Sequence, residues 1–87
     1  MEQDNHIAVE FLRYFVSTVA DKPDDVRINF KKDEMGTLIS LYVAEEDMGK
    51  IIGKEGKTAK AIRIMLRVIG SKQNEKISLE IPSPEHR

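Results

Sequence analysis

The sequence predicts one small α+β domain: a three-stranded mixed sheet with three helices on one face, in the order α-β-β-α-α-β. Three observations predict it. Apolar residues recur at three- and four-residue steps over 7–19 and again over 57–69, the period of a helix with one buried stripe. Apolar and polar residues alternate over 26–30 and 76–81, the period of a half-buried strand. The segment from Thr37 to Ile81 reads strand, helix pair, strand, a crossover that favours parallel pairing of its two strands.

Each element has a local cause. Ile7, Ala8, Phe11, Leu12, Phe15, Val16 and Val19 form the stripe of the first helix, with Asp4 or Asn5 to cap its start. Pro23 ends it, because proline disfavours helix at the residue before it. Val26, Ile28 and Phe30 form a first strand, Lys31 to Gly36 a polar loop, and 37–43 a more apolar, more central strand, the two strands making a hairpin. Glu45, Glu46 and Asp47 read as the acidic start of a short helix of about two turns, favourable at the positive end of the helix dipole. A longer helix is expected from Lys57 to Ile69, with Ala59, Ile62, Leu66 and Ile69 buried and Gly70 as its C-cap. Ile77, Leu79 and Ile81 form the last strand, and 82–87 a tail expected to fray. The domain therefore covers 1–87, with its core over about 7–81. Tyr14 and Tyr42 read as packing or sheet residues.

Composition narrows the function. The 87 residues are 40% hydrophobic and 33% charged, as expected of a globular chain. No apolar run approaches the roughly 18 residues of a membrane span, and the acidic, polar start does not read as a signal peptide. The absence of cysteine excludes disulfides and thiolate metal sites and fits a cytoplasmic protein. His6 and His86 lie near opposite ends and suggest no ligand pair, so neither metal nor cofactor is expected. No Cys/His or Ser/His/Asp arrangement or paired-acid site suggests an enzyme. Net charge is −1, which alone argues against a nucleic-acid partner. Its distribution argues the other way: residues 1–49 hold five Lys/Arg against eleven Asp/Glu, and residues 50–87 hold nine against four. A local basic face attracts phosphate although the whole is near neutral.

The most informative segment runs Ile51-Ile52-Gly53-Lys54-Glu55-Gly56-Lys57-Thr58-Ala59-Lys60-Ala61-Ile62-Arg63. Two glycines allow a sharp turn and the close approach of another backbone, and the helix that follows offers free N–H groups at its N-terminus. Lys54 sits at the turn tip, whereas Glu55 places an acid there that repels phosphate. Lys57, Lys60, Arg63 and Arg67 project within an arc of roughly 120° on an ideal helix, and Lys50 flanks from the shorter helix. Ile51 and Ile52 divide between core and groove floor. Each part also has an ordinary reading: the basic stripe as the solvated face of an amphipathic helix, the glycines as a helix-to-helix turn.

The Ile-Ile-Gly-Lys-Glu-Gly run, the helix behind it and the element order resemble a prokaryotic (type II) KH domain, in particular the small single-KH bacterial RNA-binding proteins of the KhpA type. The resemblance spans about Ile7 to Ile81. One position departs: a large aliphatic residue is common three positions after the second glycine, and here it is Ala59, with Ile62 one turn later. The resemblance implies a non-catalytic RNA chaperone or post-transcriptional regulator that clamps about four single-stranded nucleotides. The RNA-binding residues it implies are Lys50, Ile51, Ile52, Gly53, Lys54, Glu55, Gly56, Lys57, Lys60 and Arg63. It further implies a homodimer, pairing with a larger KhpB (Jag)-type KH protein, no membrane partner, and in some bacteria a role in cell shape.

Two rivals stand beside this reading. Gly56-Lys57-Thr58 echoes a Walker A loop, but the first glycine of that motif would fall at Ile51, and the loop is too short to wrap a triphosphate. The other rival is a KH-fold protein-interaction module with little RNA binding of its own. Substituting Asp at both Gly53 and Gly56 is expected to abolish RNA binding while leaving the fold intact.

Overall fold

The computed structural model describes residues 7–83. Helix α1 spans Ile7–Val19, strands β1 Arg27–Asp33 and β2 Gly36–Tyr42, helices α2 Met48–Ile52 and α3 Lys57–Lys72, and strand β3 Ile77–Glu80. Single 3₁₀ turns at Pro23–Asp25, Glu45–Asp47 and Lys54–Gly56 join them. The proposed caps Asp4 and Asn5, and the tail beyond Ser83, lie outside the described residues.

The sheet order is β1-β2-β3, with β1 antiparallel and β3 parallel to the central β2. Thr37, Ile39 and Leu41 of β2 are buried, while Leu38, Ser40 and Tyr42 between them face outward. That alternation follows from the pleat. Against the buried face pack Ala8, Leu12 and Val16 of α1, Ile51 of α2, and Ile62 and Leu66 of α3, with Leu79 of β3. Ala59 and Ile62 are both buried, so the small residue at 59 takes a core place and Ile62 supplies the bulk. Phe11 and Phe15 stack with ring centroids 6.4 Å apart, half-buried over the same cluster.

Several boundaries differ from the sequence expectation. Lys31, Lys32 and Asp33 belong to β1, and the turn shrinks to Glu34 and Met35, with Asp33 pairing Gly36. An Asp33 carboxylate oxygen accepts the Met35 N–H at 2.8 Å and closes that turn. A charged run is compatible with a strand when the strand is at an edge, as β1 is. Helix α3 continues past Gly70 to Lys72, and Asn74 rather than Gly70 takes the left-handed position, at φ 56°. Gly70 is buried because the returning chain crosses it: its carbonyl accepts the Glu75 N–H at 2.7 Å, and a Cβ there would run into the Glu75 carbonyl and lie 3.1 Å from Ile77. In α1, Ile7 is 55% exposed and Val9 is buried instead. Tyr14 is exposed rather than packed, whereas Tyr42 is a sheet residue as expected.

Candidate nucleic-acid interface

The turn between α2 and α3 is built from positive backbone angles. Gly53 has φ 81°, Glu55 φ 57° and Gly56 φ 76°. The Gly53 N–H donates to the Gly49 carbonyl at 2.8 Å and closes α2; the Gly56 N–H donates to the Gly53 carbonyl at 3.0 Å and closes the turn. L side chains visit this region at a cost that glycine does not bear, which accounts for both glycines and makes Glu55 the strained member. Gly56 then serves as the N-cap of α3 and has no side chain with which to cap it; the Lys57 N–H donates to the Lys54 carbonyl, and the N–H groups after it form the positive end of the helix, which suits an anion.

Gly53 and Gly56 are not equivalent. A Cβ on Gly56 would meet nothing within 4 Å, whereas one on Gly53 would collide with Thr58. The expectation that Asp at both positions leaves the fold intact therefore fails at Gly53: that side chain has no room. Lys54 and Glu55 are exposed at the tip and can be exchanged without touching the core.

The residues around the turn separate into distinct environments. Ile51 is fully buried in the core, and Ile52 beside it is 37% exposed. Lys50 forms a surface ion pair with Asp21 at 2.6 Å, which sets its charge beside the end of α1. The basic residues of α3 also divide. Arg63 and Arg67, with Leu66, line a groove whose other wall is Ile77, Ser78 and Leu79 of β3. Lys60 is exposed, within about 60° of both arginines on an ideal helix. Lys57 lines a separate hollow with Phe11, Phe15, Ala61 and Met65 on the α1 side.

The groove wall formed by β3 was not foreseen. Among the described residues β3 pairs only with β2, so its outer edge presents main-chain N–H and C=O groups at the groove. Those groups can read the edges of unstacked bases. Periodicity identified the strand, and the central place expected of 37–43 already put it at an edge; that Arg63, Leu66 and Arg67 of α3 lie along that edge is a matter of helix packing, which no local pattern in 76–81 encodes.

Asp47 proved to be more than an acidic helix start. It is fully buried and makes no capping bond to α2. Its two carboxylate oxygens accept the Asp21 N–H at 2.9 Å and the Lys22 N–H at 3.0 Å, tying the chain after α1 to the start of α2. The Asp21 N–H, then the Lys22 N–H and the Lys50 and Lys22 ammonium groups, hold its carboxyl below the usual range against the opposing effect of burial. Outside this tether Lys22 pairs with Glu46 at 2.8 Å on the surface; that hydrogen bond raises the Lys22 pKa and lowers that of Glu46. Among the described residues no group of three His, Cys, Asp or Glu is placed to hold a metal ion, and no helix is long and apolar enough to cross a membrane.

A mixed three-stranded sheet, a Gly-x-x-Gly turn between two helices, and a groove between the second helix and an edge strand together define a type II KH domain. The chain belongs to the KhpA/KhpB KH-domain family, whose model matches residues 9–81. This family is non-enzymatic. Over 72 residues the chain is 46% identical to RNA-binding protein KhpA of Chlamydia pneumoniae, covering 83% of this chain and 92% of the relative. It is 38% identical over 73 residues to RNA-binding protein KhpA of Borreliella burgdorferi, covering 84% and 89%. Among solved structures, Aquifex aeolicus Era bound to GDP and AlF4− shares the fold with a TM-score of 0.58 at 22% identity, over 93% of this chain and 31% of that one.

Proposed function

We propose that this chain is a non-catalytic RNA-binding protein that grips single-stranded RNA at the Gly53–Gly56 turn and lays its bases along the α3–β3 groove. The observation that carries this reading is the placement of the two: a helix start that no side chain caps behind the turn, and Arg63 and Arg67 beside the β3 edge about two and three helical turns further on. Phosphate oxygens meet the α3 N–H groups and Lys54. Lys60, Arg63 and Arg67 follow the backbone, and Ile52 supplies an exposed apolar contact. Main-chain contacts dominate, and the groove walls carry no aromatic side chain, so sequence specificity is low. The relatives named RNA-binding protein KhpA support the same partner. A cytoplasmic RNA chaperone or post-transcriptional regulator is the role that fits.

One site of this size holds few nucleotides, and a second copy raises avidity without a new contact. Ile64, Met65 and Val68 of α3 are 54%, 50% and 64% exposed, an apolar stripe suited to self-association or to a KhpB-type KH partner. That stripe also favours the second reading, a protein-interaction module with little RNA binding of its own.

Fluorescence anisotropy with a short unstructured RNA across a salt series tests the two. Lys54→Asp reverses the charge at the tip without touching the core. Binding that weakens with salt, and at least about tenfold in Lys54→Asp, supports the clamp. Equal binding by both proteins rejects it, and no binding by either at about 100 μM and low salt favours the interaction module.

A further inference from the structure

The α3–β3 groove does not end blindly. Ser78 lines it, yet Ser78 stands opposite Leu38 on the open face of the sheet. There it also lines a second hollow, with Lys31, Asp33, Met35, Leu38 and Lys76. α3 runs back along β3, so the Ile77 end of the groove is the one farther from the clamp. The hollow begins where the groove leaves off.

The chemistry of the hollow suits one more stretch of the same ligand. Lys31 projects from β1 beside Leu38, and the Lys76 carbonyl accepts the Thr37 N–H at 2.8 Å, which sets Lys76 against the start of β2. Among the described residues neither lysine is held in an ion pair. Between them Met35 is 79% and Leu38 38% exposed. Of the lining residues Asp33 is the one acid, and one of its oxygens already accepts the Met35 N–H; the neighbouring Glu75 and Glu80 carboxylates accept the Thr37 and Ser40 hydroxyls. The volume, about 200 Å³, is below the roughly 300–1,000 Å³ of small-molecule sites. Two cations flanking exposed apolar side chains, on a path continuous with a basic groove, match a sugar-phosphate chain carrying bases.

We propose that single-stranded RNA leaving the groove turns over the β3 edge at Ser78 and continues into this hollow. There Lys31 and Lys76 meet its phosphates, and Met35 and Leu38 support a base. The footprint then exceeds the four nucleotides or so of the clamp. This inference rests on the RNA-binding reading above.

The test compares an unstructured RNA of four nucleotides with one of about nine, by anisotropy at about 50 mM salt. Wild type is measured beside Lys31→Gln/Lys76→Gln and Lys31→Arg/Lys76→Arg. Both lysines are exposed, so the fold tolerates the exchanges. The Gln pair is expected to bind the longer RNA about five- to tenfold more weakly, to bind the short one within about twofold of wild type, and to flatten the salt slope by about 1.4 for two lost phosphate contacts. The Arg pair is expected to keep the wild-type affinity. Undiminished binding of the longer RNA by the Gln pair overturns the proposal, and so does an equal loss for both lengths, which marks a long-range field only. Bridging of two clamps in a dimer raises affinity for the longer RNA in wild type and Gln pair alike, and so gives the first of these overturning results. The clamp itself is judged by Lys54→Asp on the short RNA, so the two failures are distinguishable.

Discussion

Gly53 is seated against Thr58: a Cβ built on the glycine would lie 2.7 Å from both the Thr58 Cβ and its backbone nitrogen. The first glycine of the turn is therefore a packing residue as well as a conformational one. The start of the turn is pressed against the first turn of the helix that follows it, while the tip at Lys54 and Glu55 stays exposed.

The two glycines are expected to respond differently to alanine. Gly53→Ala combines an unfavourable φ with a collision and should cost about 2–4 kcal/mol. Gly56→Ala meets open space and should cost only the left-handed penalty, about 1–2 kcal/mol. Urea denaturation of both variants checks the order; equal losses would show that φ alone governs the turn.

Glu55 carries an unfavourable charge and an unfavourable φ together. Asn is enriched in the left-handed region and removes the charge. Glu55→Asn should therefore tighten RNA binding about two- to fivefold at low salt and less at high salt, with stability unchanged or slightly raised. Weaker binding would mean that the carboxylate accepts a hydrogen bond from the ligand.

The Asp47 tether makes stability depend on pH in a defined direction. Its folded pKa lies below the unfolded one, so its contribution is fully present above about pH 5 and is lost as pH falls below about 4, through the folded value. Asn offers one acceptor where two N–H donors converge, so Asp47→Asn should lower Tm by about 5–10 °C at pH 7. The gap from wild type should narrow on acidification, as thermal melts at pH 7, 4 and 2.5 would record; a gap that persists unchanged to the lowest pH contradicts the tether.

The apolar stripe on α3 gives an assembly prediction. Val68 is 64% exposed, so Val68→Asp leaves the folded monomer intact while placing a charge in any contact made through that face. Light scattering at micromolar concentration should give a dimer mass for wild type and a monomer mass for the variant. A dimeric Val68→Asp would move the contact to another surface.

Much of the fold was legible because it is periodic. Leu12 and Val16, Ile62 and Leu66, and Ile39 and Leu41 announce their buried faces through spacing alone, and that spacing is a local property of helix and strand. The Gly53–Gly56 turn was legible for a similar reason, since the conformation it needs restricts the residue types that can occupy it. The boundaries at Lys31 and Gly70 were not: a charged run continues as strand because β1 lies at an edge, and a glycine stays inside a helix because Glu75 folds back over it.

The sequence by itself determined the element order, the turn and the basic half of the chain. Only the tertiary structure decided where each of these charges lies around the turn. Lys50 is drawn to Asp21, 29 residues away in the chain; Lys57 falls to the α1 side; Arg63 and Arg67 meet the β3 edge. Asp47 finds its donors 26 and 25 residues back. Helical period and turn chemistry act over a few residues and can be read along the chain. A charge, by contrast, is committed by whatever the folded chain brings within a few ångströms of it, and strand order and helix packing alone arrange that.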